Sequence, residues 1–203
     1  MNYPQTIKNT IDCFKKLPGI GEKTAERLAL SLLNQSDEMI NNFSNSIKNI
    51  KIKTKRCSIC NAFSENDICD ICSDSDRNHN LICVVESPKN VILLEKVGTY
   101  KGVYHVLNGL ISPLDGITPD DINLDELLKR IEKSEIKEVI IALKPTIEGE
   151  TTSLYISKIL ESKKIIVSKI AHGIPLGADM DYIDPLTLEI ALENRQKIET
   201  INT

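Results

Sequence analysis

Hydrophobic residues are spaced differently in the two ends of this chain. Over the first fifty positions they recur every three or four residues, the helical interval. Ile7, Ile11 and Phe14 share one face of a first helix, which Pro18 and Gly19 stop. A second helix is expected over 24–33, with Ala25, Leu28, Ala29 and Leu32 inward. Ser36 is placed to cap a third, whose apolar stripe is Met39, Ile40, Phe43 and Ile47. After position 80 the apolar residues cluster into short β-rich runs: LICVVE from Leu81, VYHVL from Val103, EVIIAL from Glu138 and KIIVSKI from Lys164. Helical stretches near 88–97, 123–134 and 150–162 lie between them. This alternation predicts a parallel sheet covered on both faces. A last helix is expected over 186–198. No repeat or low-complexity segment interrupts the pattern.

The segment between these halves, 57–72, is short, polar and rich in cysteine. The fold class expected is therefore α+β in several parts: a helical hairpin, a small four-cysteine module, an α/β domain with a parallel sheet, and a C-terminal helix. The boundaries fall at 1–53, 54–78, 79–175 and 176–203.

Hydrophobic content of 41%, with no Trp and three Phe, implies an aliphatic core. No run approaches the ~18 apolar residues of a membrane helix, and the first ten residues lack the basic-then-apolar order of a secretory signal. A cytoplasmic location is the expectation. Net charge is −4, which alone argues against a nucleic-acid binder. Its distribution argues otherwise: residues 1–56 carry ten Lys and Arg against five Asp and Glu, whereas the remainder is acidic.

The basic end contains Leu-Pro-Gly-Ile-Gly-Glu-Lys-Thr, residues 17–24. Gly19 and Gly21 on either side of Ile20 allow a tight turn into the second helix. They leave the backbone N–H groups of its first turn open to phosphate oxygens. Lys23 and Arg27, four apart, add cations on one face. Contacts of this kind hold the sugar-phosphate backbone without reading sequence. A P-loop is excluded, because no Gly precedes Lys23 directly and no strand precedes the turn.

Cys57-x2-Cys60-x8-Cys69-x2-Cys72 is a double CxxC. Four thiolates at this spacing suit one tetrahedral Zn²⁺ per chain, and four protein ligands leave no open position for catalysis. Asp67, Asp70, Asp74 and Asp76 disfavour DNA contact around this module. Cys13 and Cys83 lie on apolar patterns and read as small buried residues. His79, His105 and His172 are given no role.

In the second half, Glu86 follows the first strand at its carboxyl edge, where open α/β sheets bind ligands. Residues 141–150 read Ile-Ala-Leu-Lys-Pro-Thr-Ile-Glu-Gly-Glu. The pair resembles the Toprim domain of topoisomerases and primases, which combines a Glu with an Asp-x-Asp that hold Mg²⁺ for phosphoryl transfer. Here the Asp-x-Asp positions are Lys144 and Thr146, so two acidic ligands are missing and one is replaced by a cation. Glu86, Glu148 and Glu150 remain.

Taken in order, LPGIGEKTAERL, the CxxC pairs, VVESPK, KPTIEGETT and SKIAHGIPLGADMDYID resemble the bacterial recombination mediator family RecR over nearly the whole chain. The family usually has Asn where this chain has Lys144. The resemblance implies a non-catalytic DNA-binding protein of recombinational repair. It implies RecO and RecF as partners in loading RecA onto gapped or single-stranded DNA, and a homo-oligomeric ring of two to four copies. It also implies DNA contact by Gly19, Gly21, Lys23 and Arg27, zinc at the four cysteines, and a partner-facing edge at Glu86, Glu148 and Glu150. Two other readings stand beside it. One is a Mg²⁺-dependent nuclease with a site rebuilt from Glu86, Asp179 and Asp181; the other is an adaptor without DNA affinity.

Overall fold

The computed structural model describes residues 3–171 and 173–195. His172 and the end of the expected last helix therefore lie outside the described residues. The chain forms two compact units, Met1–Thr54 and Lys55–Thr203.

The first unit is helical: α1 (Gln5–Lys15), α2 (Glu22–Leu32) and α3 (Asp37–Lys53). Ile11, Ala25 and Ala29 form its small core, closed by Ile7, Phe14 and Ile20. Leu28 and Leu32 are only half-buried. Cys13 departs from expectation, for it is exposed. It lies two residues from the buried Ile11, which turns it about 200° away around the helix. Ser36 does cap α3, its hydroxyl accepting from Met39 N at 3.2 Å. The apolar stripe of that helix is only partly covered among the described residues, however: none of its residues is buried, Met39 and Ile40 are half-buried, and Phe43 and Ile47 are exposed.

The second unit opens with an antiparallel pair, β1 (Lys55–Arg56) and β2 (Phe63–Ser64), and a single helical turn, α4 (Asp70–Ser73). The sheet then forms from β3 (Asn78–Val85), β4 (Gly102–Val106), β5 (Glu138–Ala142) and β6 (Ile166–Lys169). Its order is β4-β3-β5-β6, and every pairing is parallel. The connecting helices are α5 (Pro88–Val97), α6 (Leu124–Lys133) and α7 (Ile147–Leu160); α8 (Pro185–Glu193) ends the described chain. The second unit contains the expected strands and helices with ends shifted by a few residues. The shift that matters is in α7, which begins at Ile147 and so takes Glu148 and Glu150 into its first turn. Among the described residues no helix is long and apolar enough to cross a membrane.

Alternation along the strands divides the core in two. Ile82, Val84, Val103, Val139 and Ile141 face the α6 and α7 side, meeting Leu124, Leu127, Ile131, Ile156 and Leu160. Cys83, Val85, Tyr104 and Val106 face the other way, meeting Val91 of α5 and the four clustered cysteines. An ion-paired corner ties this second face together. Arg77 bonds both oxygens of Glu95, donates to Gly102 O at 3.0 Å, and leaves Glu95 to accept from the Tyr104 hydroxyl at 2.7 Å. The Arg77 guanidinium holds the Glu95 carboxyl below its usual range.

His105 is fully buried on β4. Its Nε2–H donates to Asn123 O at 2.7 Å, and its Nδ1 has no partner. Burial is the main reason its pKa falls to about 4; nearby Arg130 adds to the fall, while the Asn123 carbonyl and Glu126 oppose it. Because the folded value lies below the unfolded one, the neutral ring stabilises the fold fully above pH ~6.5, and that contribution fades as pH drops toward ~4. A loss of roughly 3 kcal/mol is expected at ~1.4 kcal/mol per pH unit. Urea midpoints from pH 7 to 4.5 should fall more steeply for the parent than for His105→Gln; equal slopes would refute this account.

Candidate DNA-binding hairpin, metal centre and sheet edge

The turn between α1 and α2 is made by Leu17, Pro18, Gly19 and Ile20. Ile20 N donates to Leu17 O at 3.2 Å, and Gly19 takes φ +80°, a left-handed value that suits glycine. Gly21, the N-cap of α2, differs: its φ is −81°, and an added Cβ would meet nothing within 4 Å. Neither torsion nor packing inside the chain requires glycine there. No side chain caps α2, and Ala25 N makes the first helical bond, to Gly21 O. The amides of the first turn are left open. Lys23 in that turn and Arg27 one turn further on are exposed, and Glu22 lies 3.8 Å from Lys15 Nζ.

The four cysteines converge. Their sulfurs all lie within 4.8 Å of one another, and all four residues are buried. Zn–S bonds of ~2.3 Å in a tetrahedron place sulfurs ~3.8 Å apart, and Cys60 and Cys69 are at 3.5 Å. Each CxxC is a knuckle. Asn61, at φ +60°, turns the chain after Cys60 and donates back to Cys57 O; Cys69 starts α4, so that Cys72 N reaches Cys69 O. Cys69 N also donates to Cys57 Sγ at 3.3 Å, a contact that favours a thiolate. With no cation among them the thiols cannot all ionise. The Cys69 thiolate, held down by S–H donation from Cys60 and Cys72, pushes the Cys60 thiol up. A divalent ion removes that conflict, and the donor set fits one structural zinc. The module is joined to the sheet, since Val106 N donates to Cys60 O at 2.8 Å and Asn61 Nδ2 to Val106 O at 3.2 Å.

At the carboxyl edge of the sheet, the connections from the neighbouring strands β3 (to β4) and β5 (to β6) run in opposite directions, which marks the crevice where such folds bind ligands. Glu86 and Lys144 stand there together, Lys144 Nζ 3.3 Å from Glu86 Oε1. A second pair, Lys169 with Glu150 at 2.5 Å, lies beside it at the start of α7. Thr146 caps α7 by accepting from Gly149 N, and its hydrogen bond to Glu148 keeps that carboxyl below its usual range. Gly149 is demanded by packing, for a Cβ would fall 1.9 Å from Lys144 O. A cleft of about 1030 Å³ opens between this turn, Lys169 and α8. Glu148 and Glu150 line it; Glu86 does not. The expected edge trio is thus divided between the crevice and the cleft. Asp179 accepts from Asp181 N in its own turn, and among the described residues the four cysteines are the only group of three or more acids, thiols or histidines close enough to share a metal. Sequence reasoning missed the two lysines as partners of these glutamates, because contacts across 58 and 19 residues have no periodic signal.

A helical hairpin with an open helix start, a four-cysteine zinc module and a Toprim-type sheet whose acids are matched by lysines define a protein of nucleic-acid maintenance rather than a Toprim enzyme with its full acid set. Residues 7–51 match the RecR helix-hairpin-helix, 54–74 the RecR four-cysteine zinc finger domain, 80–171 the Toprim domain and 173–196 the RecR C-terminal region. The chain belongs to the RecR family of recombinational DNA repair.

Because the cysteine cluster packs on Cys83, Val85, Tyr104 and Val106, its metal should stabilise the sheet as well as the module. Chelation, or Cys69→Ser, is expected to lower the thermal midpoint of the whole second unit, with one zinc released per chain. An unchanged midpoint after complete zinc removal would exclude this.

Proposed function

We propose that this protein is a non-catalytic DNA-binding mediator of recombinational repair, acting with RecO and RecF to help load RecA onto gapped or single-stranded DNA. The observation that carries the reading is the start of α2. Open amides, a glycine N-cap that nothing in the chain requires, and exposed Lys23 and Arg27 together suit a phosphate approaching closely. Gly19 holds the turn, and Gly21 leaves room for the strand.

The non-catalytic part of the reading is supported at the sheet edge. A lysine ammonium next to Glu86 supplies the positive charge that Mg²⁺ supplies in a metal-dependent Toprim site, but it offers no bound water and no Lewis acid. Lys169 does the same for Glu150. Glu86, Glu148 and Glu150 then serve as a partner-facing edge.

Association into a ring of two to four copies is supported by apolar surface that the single chain leaves uncovered. Phe43 and Ile47 of α3 are exposed, and α8, with the sequence PLTLEIALE, has no buried residue. Several hairpins acting on one DNA would turn a weak grip into a useful one.

Two experiments test this. Lys23→Ala with Arg27→Ala should weaken DNA binding regardless of sequence and lower the salt slope by about one for each cation removed; Gly21→Ser, whose hydroxyl caps the open amides, should weaken binding while leaving the thermal midpoint intact. Wild-type affinity in both would dismiss the hairpin assignment. For the edge, the purified protein should leave supercoiled plasmid intact in Mg²⁺ and Mn²⁺. Nicking that disappears in Glu86→Gln would establish a nuclease instead.

A further inference from the structure

Between Glu38 and Glu65 the chain contains no carboxylate, yet it carries Lys48, Lys51, Lys53, Lys55 and Arg56. The last two form β1, and Phe63 stands opposite Arg56 on β2. Arg56 is fixed in place: Nη1 donates to Asn61 O at 3.2 Å and Nη2 to Asn108 Oδ1 at 3.0 Å. Both acceptors are rigid. Asn61 belongs to the first zinc knuckle and bonds Val106 O, while Asn108, at φ +63°, is held by its N–H on Glu86 O at 2.8 Å. The guanidinium carbon lies 4.7 Å from the centroid of the Phe63 ring. Phe63 nevertheless remains 48% exposed.

A phenyl ring in a chain with only three Phe and no Trp is thus held half in water, next to an immobilised cation. Two of the acids expected to keep DNA from the zinc module already have partners of their own. Asp67 accepts from the Ser58 hydroxyl at 2.9 Å, Asp74 lies 3.8 Å from Arg77, and Asp70 belongs to α4.

We propose that Phe63, braced by Arg56, is a stacking platform for a base of single-stranded DNA, with Lys55 meeting the adjoining phosphate. The proposal rests on the DNA-binding reading above and adds a preference for unpaired strands. An aromatic ring beside cations is the usual means of holding a strand without reading its sequence, and it reaches a base face only where bases are unstacked. A duplex offers that ring nothing, so charge alone would not favour single strands here. A purely structural Phe63 is a weaker account. The hydrogen bonds of Arg56 already fix it, and an exposed cation–π pair adds little to them.

The experiment uses the full-length, zinc-loaded protein, with an oligothymidylate and a mixed-sequence duplex as probes. Phe63→Leu should bind the oligothymidylate roughly tenfold more weakly, while duplex affinity, zinc content and thermal midpoint stay at parental values. Phe63→Trp should retain single-strand affinity, and its newly introduced indole should be quenched when the oligothymidylate binds. Parental single-strand affinity in Phe63→Leu, or an indole that does not respond while anisotropy reports binding, overturns the platform and leaves the hairpin grip standing. A parent protein that binds neither probe overturns both.

Discussion

The packing of four buried sulfurs against one face of the parallel sheet is the constraint on which the second unit depends. A sheet of this kind must be covered on both sides. Helices α6 and α7 cover one side with Leu124, Leu127, Ile131, Ile156 and Leu160. On the other side α5 contributes Val91, and the cysteine cluster supplies much of the remaining cover. Four thiolates would be a poor apolar layer by themselves. Bound to a dication, with an amide such as Cys69 N donating to sulfur, they become a compact and largely neutralised one. The zinc module is therefore part of the core, and the knuckle after Cys60 positions both Arg56 and the end of β4.

The sheet edge carries lysine–glutamate pairs at the place where a metal-dependent Toprim site gathers its acids. Toprim chemistry requires several carboxylates to share a metal, and their mutual repulsion is tolerated because the metal is present. Here Lys144 and Lys169 each lie against a glutamate, so two of the three edge carboxylates have a cation of the protein's own beside them. Lys144, at one of the two Asp-x-Asp positions, thereby gains a physical account: its ammonium reaches Glu86 across the crevice. Gly149 preserves the tight approach of α7 to the Lys144 carbonyl even though the acids of the motif have gone.

In the proposed reading the two hairpins hold nucleic acid by different physics. The α1–α2 hairpin offers amides and cations to phosphate, which any DNA presents. The β1–β2 hairpin offers an aromatic face, which only an unpaired base can use. Both are small sites, and the proposed association of copies through the exposed apolar residues of α3 and α8 would combine them.

Much of this was legible in the residues because it depends on local spacing. The helical interval of Ile7, Ile11 and Phe14, the glycines at 19 and 21, the double CxxC and the alternation along LICVVE each follow from a few consecutive positions. The burial of Cys13 was misjudged because an apolar neighbourhood does not fix which face a residue takes; the helix turns it away from Ile11. The partly covered stripe of α3 had the same origin, since amphipathic spacing predicts a face to be covered without saying whether its own chain covers it. Tertiary structure alone decided the Lys144–Glu86 and Lys169–Glu150 pairs, the seating of zinc on the sheet, and the stack of Arg56 on Phe63 held by Asn108. These join positions far apart in the chain, and short-range periodicity has no means of expressing a distance that only folding creates.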